Sequence, residues 1–310
     1  FFPLFVGVIL LTWVIAGVFY YQASVPAGSS LQPVIVSITP GATLKQISSN
    51  LKNQNLIKNS IAFRLLANIR QKETQIQIGE YELNPSMLPI EILKTITTGK
   101  TVLHPVTIPE GYRITEIADL LAKKNIVNKD KFIKESKNKN LLNSLNLKAE
   151  TLEGYLFPET YHFSKHTSEK KVVSVMLETF KKSLTNHNIL GQIQHSKLSL
   201  HEVITLASLI EKETGKTEER KHISSVFHNR LKKNMRLQTD PTVIYAIKNF
   251  DGNIRKKDLR INSPYNTYRH KGLPPGPIAS PGLQSIIAAL NPIKTNHLYF
   301  VSRKDGSHHF

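Results

Sequence analysis

Leu206-Ala207-Ser208-Leu209-Ile210-Glu211-Lys212-Glu213-Thr214 is an almost wholly apolar run that ends on two carboxylates. Just upstream, Ser199-Leu200-His201-Glu202 has the spacing of a capping box, which predicts a helix with Ser199 as N-cap and Glu202 reaching back from the third position. Val203, Ile204, Leu206, Ala207, Leu209 and Ile210 cover nearly every side of that helix, so it is expected to be buried all round. Glu211 then falls near its C-terminal end. Desolvation and the negative end of the helix dipole both disfavour the carboxylate form and are expected to raise its pKa. A general acid working near neutral pH needs that property. The plainer reading is a glutamate where a helix meets water. Glu213 leaves the helix about 200° round from Glu211 and reads as structural.

Around this helix the 310 residues hold enough apolar surface, 40% of the chain, for a sizeable core and two or three domains. There is no cysteine, which excludes disulfides, thiolate metal sites and a cysteine nucleophile. Forty-one Lys and Arg against 23 Asp and Glu give a net charge of +18. Such a surface attracts polyanions, although a genome biased towards Lys and Asn gives the same balance. No basic stretch is interleaved with aromatics, so nucleic acid is not expected as a partner.

The N-terminal residues Phe1 to Tyr21 carry no charge, and the first charged residue is Lys45. A helix of about 20 such residues spans the roughly 30 Å hydrocarbon layer, so an uncleaved anchor is expected over 1–21, with Tyr20 and Tyr21 at the interface. A cleaved signal peptide is the alternative, but no clear cleavage site follows. Residues 22–32 read as a linker. The chain opens without Met and stops inside an expected closing hairpin (Leu298 to Ser302, turning at Asp305-Gly306), so missing native ends are expected on both sides.

Between these ends the patterning is that of an α+β protein. Val34 to Ile38 and Gly79 to Leu83 read as strands, with helices through Leu44–Leu51, Ser60–Arg70 and Pro89–Thr98. Pro40, Ile47, Leu51, Ile57 and Phe63 recur as Pro109, Ile117, Leu121, Ile126 and Phe132, a weak repeat of about 70 residues with a one-residue offset. Two small modules are expected, the first over 33–105. Lys129 to Ser144 reads as solvated helix, and Val172 to Leu184 as amphipathic helix. Thr217 is expected to cap a further helix, and Ser280 with Pro281 to launch the last one. Gly272 to Gly282, with four prolines and three glycines, reads as a stiff loop.

The 12 histidines show no metal-ligand spacing, no nucleophile elbow is present, and no cofactor is expected. Five ordered stretches carry a resemblance instead: Leu152–Phe163 (LEGYLFPETYHF), Ala207–Thr214 (ASLIEKET), Val226–Thr242 (VFHNRLKKNMRLQTDPT), Ser263–Tyr268 (SPYNTY) and Gly272–Gly282 (GLPPGPIASPG). Together they resemble the YceG-like endolytic murein transglycosylases, the MltG family. The resemblance implies a LysM-like glycan-binding module over 33–105 and a mixed α+β catalytic domain over 106–310. It implies a single-pass protein of the inner membrane with its catalytic domain outside the cytoplasm. Peptidoglycan glycan strands would be the substrate, with peptidoglycan synthases as candidate partners. Glu211 matches the family's catalytic acid. Gln238, Thr239, Asp240, Tyr265, Asn266, Tyr268, Glu159 and Tyr161 become candidate substrate contacts, some of them loop scaffolding. Two other readings stay open. One is a hydrolytic muramidase using a second carboxylate, Asp240 or Glu159. The other is a non-catalytic murein-binding or division scaffold.

Overall fold

The computed structural model describes residues 13–14, 17–145, 149–303 and 305–310. The expected span over Phe1–Tyr21 lies largely outside them, and among the described residues no helix is long and apolar enough to cross a membrane. The architecture is mixed α+β, largely helical with two-stranded sheets. It divides into two units: the chain through His104 together with His162–Thr167, and Pro105–Tyr161 together with Ser168–Phe310.

The first unit runs β1 (Val34–Ile38), α1 (Leu44–Asn53), α2 (Ser60–Ile69), β2 (Gly79–Leu83) and α3 (Pro89–Thr98). β1 and β2 are antiparallel, with Val36 opposite Tyr81 and Ile38 opposite Gly79. The period-2 alternation turns Val36 and Ile38 onto a core shared with Leu51 of α1, Phe63 of α2 and Ile92 and Ile96 of α3. Thr43 caps α1 in a reciprocal box with Gln46.

β3 (His104–Thr107) and β4 (Thr160–Phe163) pair with each other. The second unit continues through α4 (Ile114–Lys123), α5 (Lys129–Glu135), α6 (Lys139–Asn143), α7 (Glu169–Asn186), α8 (Ile189–Gln194), α9 (Leu200–Glu213), α10 (Arg220–Lys232), α11 (Asp240–Ala246) and α12 (Leu283–Leu290). The 70-residue repeat recurs in the backbone: Gly41 and Gly111 turn at φ 79° and 75°, and Asn55 and Asn125 both sit at φ 57°. Between these points α1 and α4 bury Ile47 and Leu51, and Ile117 and Leu121, respectively.

Three expected element boundaries move, each where contacts with another part of the chain take up the groups involved. A 3-10 turn occupies Thr217–Glu219 and α10 begins only at Arg220, because Glu219 is engaged by Thr214 Oγ1 (3.1 Å) and by the backbone and ring nitrogens of His308 (2.9 and 2.7 Å). α12 begins at Leu283 with Gly282 as N-cap, not Ser280; the Ser280 backbone is instead laddered to Gly111 N and Tyr112 O, both at 2.8 Å. In the closing hairpin the described strand pairs are Val301–Ser302 (β5) and His308–His309 (β6). The carbonyls of Thr295, His297 and Leu298 accept from Asn229 and Arg230 side chains of α10 instead of a strand.

Candidate active site

The capping box at Ser199 is formed in both directions, with Ser199 N donating to Glu202 Oε2 (2.8 Å) and Glu202 N to Ser199 Oγ (3.3 Å). From Val203 to Ile210 every residue of α9 is buried, and α9 packs chiefly on α12. One stripe of α9 pins the proline-rich loop. His201 Nε2 donates to Pro275 O (2.7 Å), which leaves Nδ1 to accept from Tyr155 Oη (2.7 Å). Ser208 Oγ accepts from Ile278 N (3.0 Å), and Glu211 Oε2 accepts from Gly282 N (3.0 Å). Spacings of seven and three residues keep these three side chains on one helix face, so the loop's backbone follows the helix register and ends on Glu211.

The Glu211 side chain is only 6% exposed. Its Oε1 lies 3.1 Å from Nη2 of Arg220, and the same nitrogen is 3.2 Å from Oε2 of Glu110. Arg220 is buried, with 7% of its side chain exposed, while 45% of Glu110 is open. Burial and the helix dipole disfavour charge on Glu211, and the Arg220 guanidinium and the Gly282 N–H favour it.

Glu213 turns to a different polar centre. Thr239 Oγ1 donates to its carboxylate, and burial raises that carboxyl above its ordinary range while the Thr239 hydroxyl opposes the shift. Gln238, held at φ 51°, donates its backbone N–H to Thr267 O (3.2 Å), and Thr239 N donates to Thr267 Oγ1 (3.1 Å). Tyr268 Oη donates to Asp240 Oδ1 (2.6 Å). The QTDPT and SPYNTY stretches are therefore brought together, around Glu213. Asn266 is fully buried and its Nδ2 donates to Leu259 O and Ile261 O. Tyr265 stacks obliquely on Tyr245 at 4.8 Å.

In the aromatic stretch 152–163, Tyr155, Phe157, Tyr161 and Phe163 are buried. Tyr155 is fully buried edge-on to Phe180 at 5.5 Å, and the buried Tyr161 donates its hydroxyl to Phe157 O (2.7 Å). Glu159 is exposed and, with Glu110, Lys182, His187 and Leu283, lines a cavity of about 370 Å³. Glu153 is buried, accepting from Ile114 N (3.0 Å) and Tyr245 Oη (3.4 Å); burial lifts its carboxyl to about 7, against the pull of the Ile114 N–H.

Sequence reasoning missed Arg220, Glu110, Gly282 and Glu153. One signal was legible: Arg220 is a cation in the first turn of α10, where the helix dipole favours anions.

The fold and site thus define a class: an α+β protein whose polar centre is an enclosed carboxylate at the end of a buried helix, clamped by one guanidinium and one loop N–H. The model of the YceG-like family matches residues 36–310, and the chain belongs to that family. A protein of Bacillus subtilis (strain 168) named endolytic murein transglycosylase is 36% identical over 313 residues, covering 94% of this chain and 86% of the relative. One of the same name from Streptococcus pneumoniae serotype 2 (strain D39 / NCTC 7466) is 34% identical over 305 residues, covering 88% of this chain and 55% of the relative. A crystal structure of a yceG-like protein from Listeria monocytogenes, 36% identical, matches with a TM-score of 0.61 over 89% of this chain and 95% of that one.

Proposed function

We propose that the chain is a membrane-anchored endolytic lytic transglycosylase that cleaves the MurNAc–GlcNAc β-1,4 bond of murein glycan strands, with Glu211 as general acid and base. The observation that carries this reading is the Glu211 carboxylate, enclosed between Arg220 and Gly282 N–H in a chain whose relatives bear the name endolytic murein transglycosylase. Glu211 donates its proton to the GlcNAc O4 as the MurNAc C1–O4 bond breaks. The MurNAc C6 hydroxyl then attacks C1 and returns a proton to Glu211, closing a 1,6-anhydro ring. Between the two transfers the carboxylate is anionic, and the Arg220 guanidinium and the Gly282 N–H stabilise it there. One carboxylate suffices because the nucleophile belongs to the substrate. No water is consumed.

Supporting the anchor, the described N-terminal side chains Trp13, Val14, Val18, Tyr20 and Tyr21 are all exposed, and the uncharged run 1–21 has the length of a span. The first unit is proposed as the glycan-binding module; a cavity of about 330 Å³ lined by Ser37, Thr39, Gln46 and Asn50 offers polar groups to sugar hydroxyls. A muramidase is the second reading, favoured by one observation: Glu110 is a second carboxylate on the same guanidinium nitrogen as Glu211. A mass spectrum of the products released from polymeric murein separates the readings. Anhydro ends, one water lighter than reducing ends, support the transglycosylase; reducing ends support the muramidase, and no soluble fragments support a scaffold.

A further inference from the structure

Two features of Glu110 have no role in the proposed reaction. Its carboxylate shares a single guanidinium nitrogen with Glu211, at 3.2 and 3.1 Å. It also lies against the Cα of Gly282, the residue whose N–H binds Glu211: a Cβ at position 282 would stand 1.8 Å from Glu110 Oε1 and 2.1 Å from its Cδ. Gly282 has φ −73° and ψ 165°, extended backbone open to any residue. Its lack of a side chain is therefore required by Glu110, not by the chain's conformation.

We propose that Glu110 is a positioning residue for the acid: it holds part of the Arg220 charge away from Glu211, and so sets how firmly Glu211 keeps its proton. This rests on the reading of Glu211 as the acid. The charged groups facing the pair are few. α10 contributes Arg220, and α9 itself contributes Lys212, whose Nζ is held on Gly111 O at 3.2 Å. α12 (LQSIIAAL) contributes no ionisable side chain. On its open side Glu110 meets the cavity that Glu159, Lys182 and His187 also line. Arg220 is thus the only buried cation held by the acid, and Glu110 its only competing anion among the described contacts. Without the Glu110 charge, Arg220 serves Glu211 alone, the carboxylate form gains, and the acid is lost at lower pH.

The test compares the purified wild-type chain with Glu110→Gln, which keeps shape and removes charge, and Gly282→Ala, which pushes the carboxylate aside and keeps the charge. Two readouts are taken: kcat/KM on polymeric murein against pH, and a carbon-13 NMR titration of labelled glutamate carboxyls, in which Glu211 is identified by its absence in Glu211→Gln. In both variants the high-pH limb and the Glu211 midpoint should move down by about one pH unit, a modest shift because Glu110 is half-exposed and screened. On that limb the rate falls about tenfold, with product ends unchanged. An unmoved midpoint in both variants overturns the proposal. So does a folded Glu110→Gln that is inactive at every pH, which makes Glu110 a catalytic carboxylate. A midpoint that moves in the variants while the wild type cleaves nothing leaves the positioning role standing and removes the proposed activity instead.

Discussion

Replacing Glu211 by Gln removes a transferable proton while leaving the side chain's size unchanged, and the structure says what else changes. Both carboxylate oxygens face donors, Arg220 Nη2 on one and Gly282 N on the other. A Gln oxygen can satisfy one of them. Its NH2 then meets the other donor head-on, which costs about 1–2 kcal/mol for a buried unmatched group, roughly 3–6 °C in Tm for a unit of this size. The fold survives that loss. Turnover should fall by about 10²–10⁴, the usual worth of general acid–base catalysis. The assay is release of soluble muropeptides from polymeric murein, read by mass, with circular dichroism and thermal melting to check the fold. Glu213→Gln is the control and should stay within a few-fold of wild type, because its side chain is directed to Thr239. Near-normal turnover in Glu211→Gln refutes the assignment of the acid. Reducing ends from the wild type leave the acid in place and overturn the transglycosylase chemistry.

Three further outcomes are expected. Glu153 has its carboxyl raised to about 7 in the fold against an unfolded value near 4.3; between those values the folded state holds a proton that the unfolded state has released, so the Glu153 contribution to stability falls as pH rises from about 4.3 to 7, by about 4 kcal/mol in all. Glu153→Gln, which can still accept from Ile114 N, should flatten that slope in denaturant titrations at pH 5 and 8, and an unchanged slope refutes the source. Gly154→Ala should lower stability by about 2–4 kcal/mol, since Gly154 sits at φ 84° and an added Cβ would lie 2.4 Å from the ring of Pro277; a melting temperature within 2 °C or so of wild type refutes it. Finally, the mature protein should stay with membranes through washes in high salt and alkali, and its release by either would remove the anchor.

How much of this was legible follows from the range of each interaction. α9 could be read because its signals are local: a capping box three residues wide and an apolar run on consecutive turns. The first unit's strands and helices were legible for the same reason. The Arg220–Glu110 contact joins residues 110 positions apart, and nothing in the turn Pro109-Glu110-Gly111 marks Glu110 beyond turn chemistry. Gly282 read as the end of a stiff loop, whereas its bareness answers to a glutamate from far earlier in the chain. The aromatic stretch 152–163 was ambiguous between sugar platform and core until Phe180 and His201 were seen to close over Tyr155.

The two carboxylates at the end of α9 show why a site must be read from its surroundings. The fold raises the carboxyl of Glu213, where burial outweighs the Thr239 hydroxyl and the Asp240 charge adds to it. By electrostatics alone Glu213 has the property wanted in an acid. Its geometry argues otherwise. Its oxygen accepts from Thr239, which is buried and tied through its backbone to Thr267, so the Glu213 carboxyl braces the QTDPT and SPYNTY loops. Glu211 instead faces a cation whose charge is already divided with a half-exposed glutamate at the rim of a cavity. A residue that must give a proton and take one back needs both charge states within reach. Burial supports the neutral state of Glu211 and the Arg220–Gly282 clamp supports the anion, whereas at Glu213 burial prevails over the Thr239, His308 and Arg230 influences that favour the anion. The Glu211→Gln and Glu213→Gln pair therefore tests whether the acid is marked by being neutral in the resting fold or by being stabilised in both states.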